Sequence, residues 1–280
     1  MNQVAATGFE RGLVRTHTGY IHYRSLGPAG PTVVLAHINQ QSSAIYLELM
    51  QALAPQVRTV AIDYPSHGHS DPIDWQPTIA TYARCMIEVM DALGIERATS
   101  LGEAVGAAVS TELGCSYPNR IERVVLVNCP FYPTRAVADA SHAPLKSGLR
   151  PADASGFPTT RTLEFMLEHD PAHSPVNPTQ SWMDRVNVAQ IEAGRNRWQA
   201  LDALHAYELN ANLARLPQPV LLLIGELFHY CKYRAEFDRL IPNVRSHVLS
   251  GARFFMTWER AAEIARYVKD FVPQSAGSPP

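Results

Sequence analysis

Short apolar runs alternate along this chain with longer segments of helical periodicity. The apolar runs are too short for helices and lack strict alternation, as in strands buried on both faces. They fall at residues 32–36, 60–62, 124–127 and 219–225. Helical segments lie between them, at residues 49–53, 79–93 and 104–113. This order predicts an α/β protein with a mostly parallel, twisted sheet and helices on both faces.

Composition and charge narrow the class of protein. The formal net charge is −2, so nothing favours nucleic acid or an anionic membrane as a partner. The cysteines have neither the spacing of a metal site nor that of a disulfide framework; they are Cys85, Cys115, Cys129 and Cys231. No apolar run approaches the roughly 20 residues that span a bilayer, and the first residues lack a signal-peptide core. We therefore expect a cytoplasmic protein with no metal and no cofactor.

One short segment has the spacing of a nucleophile elbow. Gly102-Glu103-Ala104-Val105-Gly106 precedes a helical segment, and its two glycines permit the sharp turn that lifts the central side chain into a pocket. That central side chain belongs to Ala104. A methyl group can neither attack a carbonyl nor relay a proton, so the turn is present without a nucleophile.

Other segments resemble, in order, landmarks of the α/β-hydrolase superfamily. Residues 32–37 resemble the strand that ends in the family's His-Gly oxyanion motif, and residues 60–71 resemble the next strand and its Asp-x-Pro-Gly-x-Gly-x-Ser loop. Residues 124–128 resemble the strand after the elbow helix, 219–226 the strand before the catalytic acid, and 241–255 the last strand and its histidine loop. The chain is most similar to the branch that hydrolyses meta-cleavage products and small esters. This resemblance implies the α/β-hydrolase fold.

The same resemblance implies that the catalytic triad has been replaced. The family places its nucleophile at Ala104, its acid at Phe228 and its histidine at Phe254. The oxyanion glycine is replaced by Ile38, and Asn128 provides no acid at the end of the preceding strand. A triad acts as a unit, so ordinary serine-type ester hydrolysis is not expected.

The resemblance also implies an inserted helical cap. The stretch from residue 131 to residue 216 is rich in proline and histidine, and the family inserts a cap over the pocket at this place. Helical periodicity within it falls at residues 162–168, 181–193 and 195–213. We expect residues 131–216 to form this cap, residues 1–130 and 217–273 to form the core, and residues 274–280 to form a disordered tail.

Three residues are candidates for acid or base chemistry. A carboxylate buried at Glu103, beside the elbow, could exchange protons near neutral pH, or it could point away from the pocket. His37 matches the oxyanion-loop histidine, which usually braces its loop by hydrogen bonds. His229 could form a new acid and base set with Tyr230 and Lys232, or all three could lie on a variable surface loop.

A second group of residues is expected to bind the substrate. Two phenylalanines and a methyl group in the triad places predict an apolar pocket floor, because an unpaired charged residue there would be costly to bury. Individual aromatic residues could instead pack the cap on the core. The predicted binding residues are Ile38, Asn39, Gln40, Ala104, Val105, Phe131, Trp182, Phe228, Tyr230 and Phe254. The backbone amides after Ile38 and Ala104 could still stabilise an anion.

Three functions are compatible with these observations. The first is a non-hydrolytic enzyme, such as an isomerase, cyclase, dehydratase or lyase, acting on a hydrophobic, aromatic or polyketide-like molecule. The second is a protein that binds a small ligand without turnover, and the third is a scaffold or partner subunit. We favour the first because the elbow, loops and cap are all still recognisable. The expected partner is a small hydrophobic molecule, and a homodimer is left open.

Overall fold

An eight-stranded sheet organises the part of the chain that the structure describes. The computed structural model describes residues 8–145 and 152–272, with backbone alone for residues 143–145. The strands are β1 (Glu10–Thr16), β2 (Gly19–Leu26), β3 (Thr32–Ala36), β4 (Arg58–Ile62), β5 (Ala98–Glu103), β6 (Ile121–Val127), β7 (Val220–Gly225) and β8 (Val244–Leu249). Within these described residues, no helix is both long and apolar enough to cross a membrane. The predicted tail, residues 274–280, lies outside them.

The strand order is β1-β2-β4-β3-β5-β6-β7-β8. From β4 to β8 every neighbouring pair is parallel, whereas β2 runs antiparallel to both β1 and β4. All residues of β5 and β7 are buried, as expected where both faces of a sheet are covered. The predicted mostly parallel sheet is confirmed, with the hairpin β1–β2 added at one edge.

Helices lie on both faces of this sheet and in the segment between β6 and β7. They are α1 (Leu47–Leu53), α2 (Ile79–Ala92), α3 (Val105–Ser116), α4 (Arg135–Leu145), α5 (Leu163–His169), α6 (Gln180–Ala193), α7 (Gln199–Ala206), α8 (Leu209–Leu213), α9 (Arg234–Leu240), α10 (Met256–Glu259) and α11 (Ala261–Phe271). Helix α1 packs on α11, and α2 packs on α3. The central helix α3 buries most of its length, which fixes the elbow at its first turn.

The chain between β6 and β7 contains the helices α4 to α8. The single helical run expected over residues 195–213 is instead divided into a 3-10 helix at Gly194–Trp198 and the two helices α7 and α8. The division has a backbone cause. Tyr207 is extended, with φ −91° and ψ 134°, and ends α7 before α8 begins, whereas Gly194, with φ 54°, ends α6 where the 3-10 helix begins.

Candidate active site

The turn from β5 into α3 has the geometry of a nucleophile elbow. Ala104 links the two elements with φ 54° and ψ −113°, a strained conformation for a residue with a Cβ atom. A Cβ atom added to Gly106 would lie 1.9 Å from the Ala36 carbonyl oxygen, and one added to Gly102 would lie 2.0 Å from the Gly106 oxygen. Both glycines are therefore required by close backbone approach, and the residue that they raise into the site carries only a methyl group.

A cavity of about 320 Å³ lies against this elbow. Its floor includes Ala104 and Val105 from the elbow and Phe228 and Phe254 from the loops after β7 and β8. Its remaining lining is Ile38, Asn39, Gln41, Pro130, Tyr132, Ser141, Arg161, Met166, Ala172, His173, Trp182, Val186, Leu201, Leu204, His229, Tyr230 and Phe255. The segment between β6 and β7 thus closes the cavity over the sheet, and the surface that a ligand would meet is mainly apolar.

Most of the predicted binding residues line this cavity, but two do not. Phe131 packs against the rings of Tyr233 and Phe237, at 5.1 and 5.0 Å between centroids. Gln40 is fully buried and has a positive φ of 60°, and it too is missing from the lining. The structure corrects both expectations: in each case the chain neighbours face the cavity while the residue itself turns into the core.

Glu103 supports the elbow from behind. Its carboxylate accepts hydrogen bonds from the Asn128 side-chain amide (3.0 Å), the Met256 amide (3.0 Å), and the amide and hydroxyl of Thr257 (3.1 and 2.6 Å). Burial raises the pKa of Glu103, and the donors of Thr257, Asn128 and Met256 oppose that rise. Glu103 does not line the cavity. Chemistry there would require the carboxylate to leave four donors, so the structure favours the outward-pointing alternative.

His37 braces the loop after β3. Its Nδ1 atom donates to the Ile38 carbonyl (2.9 Å), and its Nε2 atom accepts from the Tyr64 amide (3.0 Å). Both ring nitrogens are therefore engaged, and burial, reinforced by His67, lowers the pKa of His37 to about 3. His37 does not reach the cavity lining. This geometry holds the loop and leaves no free nitrogen for proton transfer.

His229 lies at the rim of the cavity. Its ring is exposed on one side and packs on the other against Tyr230 and Phe228, at 4.0 and 4.6 Å between centroids. Partial burial, together with His173 and Lys232, lowers the pKa of His229 to about 4. Lys232 stacks over the Tyr233 ring instead of joining His229 and Tyr230. Of the three residues predicted to act together, His229 and Tyr230 line the cavity and Lys232 does not.

The structure shows a carboxylate–imidazole pair in the segment between β6 and β7, Asp170 and His173, that the sequence did not predict. The Nδ1 atom of His173 lies 2.6 Å from the Oδ1 atom of Asp170, and His173 lines the cavity. Asp170 is buried at the end of α5, with its other oxygen 3.9 Å from the Arg161 guanidinium. The Asp-x-x-His spacing was visible, but only the fold shows that the histidine faces a cavity.

Several residues of the lining carry a polar side-chain atom that has no hydrogen-bond partner within the described residues, and three such atoms bear on ligand binding. They are Asn39 Oδ1, Gln41 Oε1 and Trp182 Nε1. Trp182 is fully buried and Gln41 is 2% exposed. Leaving a buried donor or acceptor unpaired destabilises a fold by about 1–3 kcal/mol. The residues of the cavity wall therefore contain one donor and two acceptors that no described residue satisfies.

A separate cluster of His22, Asp63 and His69 could be mistaken for a metal site. Asp63 accepts hydrogen bonds from the Ser43 amide (2.5 Å), His22 Nδ1 (2.8 Å) and the His69 amide (3.0 Å). Burial raises the pKa of Asp63, but the His22 hydrogen bond and the other favourable contacts outweigh it and lower the pKa to about 2. These donors occupy both carboxylate oxygens, and the cluster supports the loop after β4.

Comparisons with known proteins agree with this architecture. Residues 31–261 match the family described as alpha/beta hydrolase fold, and the chain therefore belongs to that family. It is 29% identical over 251 residues to haloalkane dehalogenase 2 of Mycobacterium tuberculosis, covering 86% of each chain. It is 25% identical over 270 residues to 2-hydroxy-6-oxononadienedioate/2-hydroxy-6-oxononatrienedioate hydrolase 2 of Pseudomonas putida, covering 90% of this chain and 91% of the relative.

Solved structures show the same fold at lower identity. The enol-lactonase from Burkholderia xenovorans LB400 aligns with a TM-score of 0.71 and 21% identity, covering 93% of this chain and 99% of the lactonase. Carboxylesterase CesB from Bacillus subtilis aligns with a TM-score of 0.71 and 22% identity, covering 95% of this chain and 92% of the esterase. The α/β-hydrolase superfamily and its fold, predicted from the sequence, are confirmed.

Proposed function

We propose that this member of the family lacks the serine-type triad and acts on a small hydrophobic molecule by proton transfer instead of ester hydrolysis. The observation that carries the proposal is Ala104, a methyl group at the raised position of an otherwise complete elbow. Natural selection for hydrolysis would retain a nucleophile at this position. The elbow, the closing helical segment and the cavity all remain, which favours continued use of the site.

The environment of Ala104 supports this reading. Phe228 and Phe254, in the places that the resemblance gives to the acid and the histidine, stack at 5.7 Å and line the same cavity. Three apolar groups therefore converge where a hydrolase needs three polar ones. The relatives named above are a haloalkane dehalogenase and a hydrolase by name, so this chain would be a divergent member of its family.

The lining indicates the kind of ligand. A cavity of about 320 Å³ is at the small end of the usual range for ligand sites. Its mainly apolar wall suits a ring or a short chain, and the atoms of Trp182, Gln41 and Asn39 that no described residue pairs suit a ligand with a carbonyl or hydroxyl group. A hydrophobic molecule with one oxygenated end fits both features.

A second candidate is a protein that binds such a molecule without turnover. The apolar floor around Ala104 favours it, because binding needs no reactive group. The scaffold hypothesis has less support, since a pure scaffold has no need of a cavity against the elbow. Binding and turnover are best separated by experiment.

The decisive experiment is untargeted mass spectrometry of the purified protein mixed with a metabolite extract of the host cell. Consumption of a compound with formation of an isomer or elimination product supports the proposed enzyme. Retention of an unchanged compound supports the binding protein. Retention of nothing would contradict both and would direct attention to protein partners.

The Ala104→Ser variant tests the assignment of the triad places. With Phe228 and Phe254 in the acid and histidine places, a serine at 104 lacks its own relay. We expect hydrolysis of p-nitrophenyl butyrate to stay at the wild-type background. Appreciable hydrolysis by this single variant would show that a base and an acid already reach the elbow and that serine-type hydrolysis does not depend on residues 228 and 254.

A further inference from the structure

We propose that His173, held by Asp170, is the base that removes a proton from an apolar carbonyl substrate; this rests on the proposed proton-transfer function. The 2.6 Å contact between His173 Nδ1 and Asp170 Oδ1 places the imidazole proton on Nδ1. A buried carboxylate that fixes the tautomer and orientation of an imidazole leaves Nε2 as a proton acceptor. This is the relation between acid and histidine in a triad, here formed within the helical segment.

The pair is held in place from the core. The guanidinium of Arg253, in the loop after β8, donates to the Pro171 carbonyl at 2.5 Å. The carboxylate of Glu259 accepts from the amides of Val176 and Asn177, at 3.0 and 2.6 Å. These contacts lie on both sides of His173 in the chain. A base must be positioned to within a fraction of an ångström, and this double attachment provides such positioning.

The ring of His173 meets the wall of the cavity that the triad histidine would occupy. It lies edge-to-face against Phe254, at 5.9 Å and 90°, and 5.9 Å from the ring of His229. Because Nδ1 is engaged by Asp170, which does not line the cavity, the opposite edge of the imidazole is the one available to a ligand. The proposed base is thus contributed by the segment between β6 and β7, and not by the loop after β8.

His229 shares the cavity but is a weaker candidate. No hydrogen bond among the described residues orients its ring, and its pKa is lowered to about 4 by partial burial, His173 and Lys232. The charged or titratable groups around His173 are Asp170 and His229, which contact it, Arg161, which lies 3.9 Å from Asp170, and Arg253, which bonds to the Pro171 carbonyl. Among these, Asp170 is the group in hydrogen-bond contact with Nδ1, and its carboxylate orients the ring.

The class of substrate follows from a second residue of the lining, Trp182. Trp182 is fully buried, its indole N–H has no hydrogen-bond partner among the described residues, and its ring packs on Phe255 at 5.1 Å, next to Phe254. An N–H donor in the wall of a mainly apolar cavity suits a carbonyl oxygen, on which charge develops when a neighbouring carbon loses a proton. The substrate is therefore an apolar ketone, ester or thioester with an acidic C–H bond next to its carbonyl.

The step that we propose is an enolisation. Nε2 of His173 takes the proton, the C–H electron pair forms a carbon–carbon double bond, and the carbonyl π pair moves to oxygen. The enolate oxygen accepts a hydrogen bond from the Trp182 N–H. Return of the proton from His173 to a different carbon of a conjugated enolate completes an isomerisation. No oxidant, reductant or co-reactant is needed.

The base can be tested before the natural substrate is known, with 5-nitrobenzisoxazole as the probe. A base removes the proton of its ring carbon, the freed electron pair forms a nitrile, and the nitrogen–oxygen bond breaks to give a coloured phenolate. We expect saturable elimination by the wild-type protein at a rate that rises with pH. His173→Ala should lower kcat at least about tenfold with KM nearly unchanged, and added imidazole should restore part of the rate.

Further variants distinguish positioning from packing. Asp170→Asn should lower kcat several-fold and alter the pH profile, because an amide can leave the imidazole in the wrong tautomer. Trp182→Phe should lower kcat less and leave the pH profile unchanged. His169→Gln is the matched control, because His169 lies outside the cavity lining and bonds to the Phe165 carbonyl at 3.1 Å. If His173→Ala is unfolded by circular dichroism, His173→Gln is judged by the same criteria.

Calorimetric binding of 5-nitroindazole, an unreactive molecule of the same shape, separates the two proposals. If 5-nitroindazole binds but the wild-type and His173 variants give the same elimination rate, His173 is not the base, and the proposal that the cavity binds a small hydrophobic molecule stands. If it does not bind and no elimination occurs, both proposals are wrong. Binding together with a His173-dependent rate supports both.

Discussion

The Oε2 atom of Glu103 accepts a 2.6 Å hydrogen bond from the hydroxyl of Thr257, which joins the elbow to the first turn of α10. The same carboxylate also receives the amides of Thr257 and Met256 and the side chain of Asn128. A residue next to the raised position of the elbow thus anchors the chain just after Phe254 and Phe255. Two walls of the cavity are thereby held in register.

Glu103→Gln is expected to destabilise the protein. A glutamine presents one acceptor oxygen and one N–H₂ group to four donors, so at least one buried N–H loses its partner. We expect a loss of about 2–3 kcal/mol in the free energy of unfolding, measured with urea. Glu208→Gln, at an exposed side chain, is the control and should change it little. A Glu103→Gln protein of full stability that has lost turnover would instead support the chemical role for Glu103.

The elbow predicts opposite effects for two small substitutions. Ala104→Gly relieves the strain of φ 54° and ψ −113° and should raise stability by about 1 kcal/mol. Gly106→Ala brings a Cβ atom to 1.9 Å from the Ala36 carbonyl and should cost at least about 3 kcal/mol or prevent folding. The measurement is urea unfolding of each variant.

Ala107→Gly, one residue further into α3, is the control for the alanine-to-glycine change. It lies inside a buried helix and should lose about 1 kcal/mol or more. A loss of equal size in Ala104→Gly would mean that the raised position is not strained.

The parts of the fold that could be predicted from sequence include the strands that form continuous apolar runs, such as β7. Strand β5 is buried as completely, but it contains Thr99, Ser100 and Glu103, so no apolar run marks it. The hairpin β1–β2 was not predicted, because exposed apolar residues such as Leu13 and Tyr20 obscure the alternation of apolar and polar residues that marks an edge strand.

The candidate site could be predicted where it lies on the framework of the fold. Ala104, Phe228 and Phe254 were placed by their order relative to glycines and strands, and all three line the cavity. Gln40 and Phe131 were predicted to line the cavity but do not, because a shift of one residue along a loop changes which side chain faces the cavity. The pair Asp170–His173 depends on how the helical segment lies over the sheet, which local sequence does not determine.

Acid sensitivity is expected from His37. Burial lowers its pKa to about 3, below its ordinary value of 6.5. As the pH falls below 6.5, the unfolded chain binds a proton that the folded protein excludes, so stability is lost down to about pH 3. Between pH 6.5 and pH 5 we expect a loss of roughly 1.5 kcal/mol from this residue.

Urea unfolding at these two pH values checks the prediction. His37→Gln should show a smaller pH-dependent loss than the wild type, whatever its own stability. His67, whose pKa burial also lowers, accounts for part of the remaining loss. Asp63, with a pKa of about 2, should contribute only at lower pH. An unchanged loss in His37→Gln would show that His37 is not the group that titrates.

Attachment of the helical segment to the core is expected to depend on Arg185 in α6. Its guanidinium binds both carboxylate oxygens of Glu48 in α1, at 2.7 and 2.8 Å, and donates to the Ala44 carbonyl. The pair is partly exposed, so Arg185→Ala should weaken attachment by only about 1 kcal/mol, enough to speed amide hydrogen exchange in α6 about fivefold. Arg234→Ala, which removes an exposed pair within α9, should leave exchange in α6 unchanged. Equal exchange in the wild type and Arg185→Ala would mean that apolar packing alone holds the segment over the cavity.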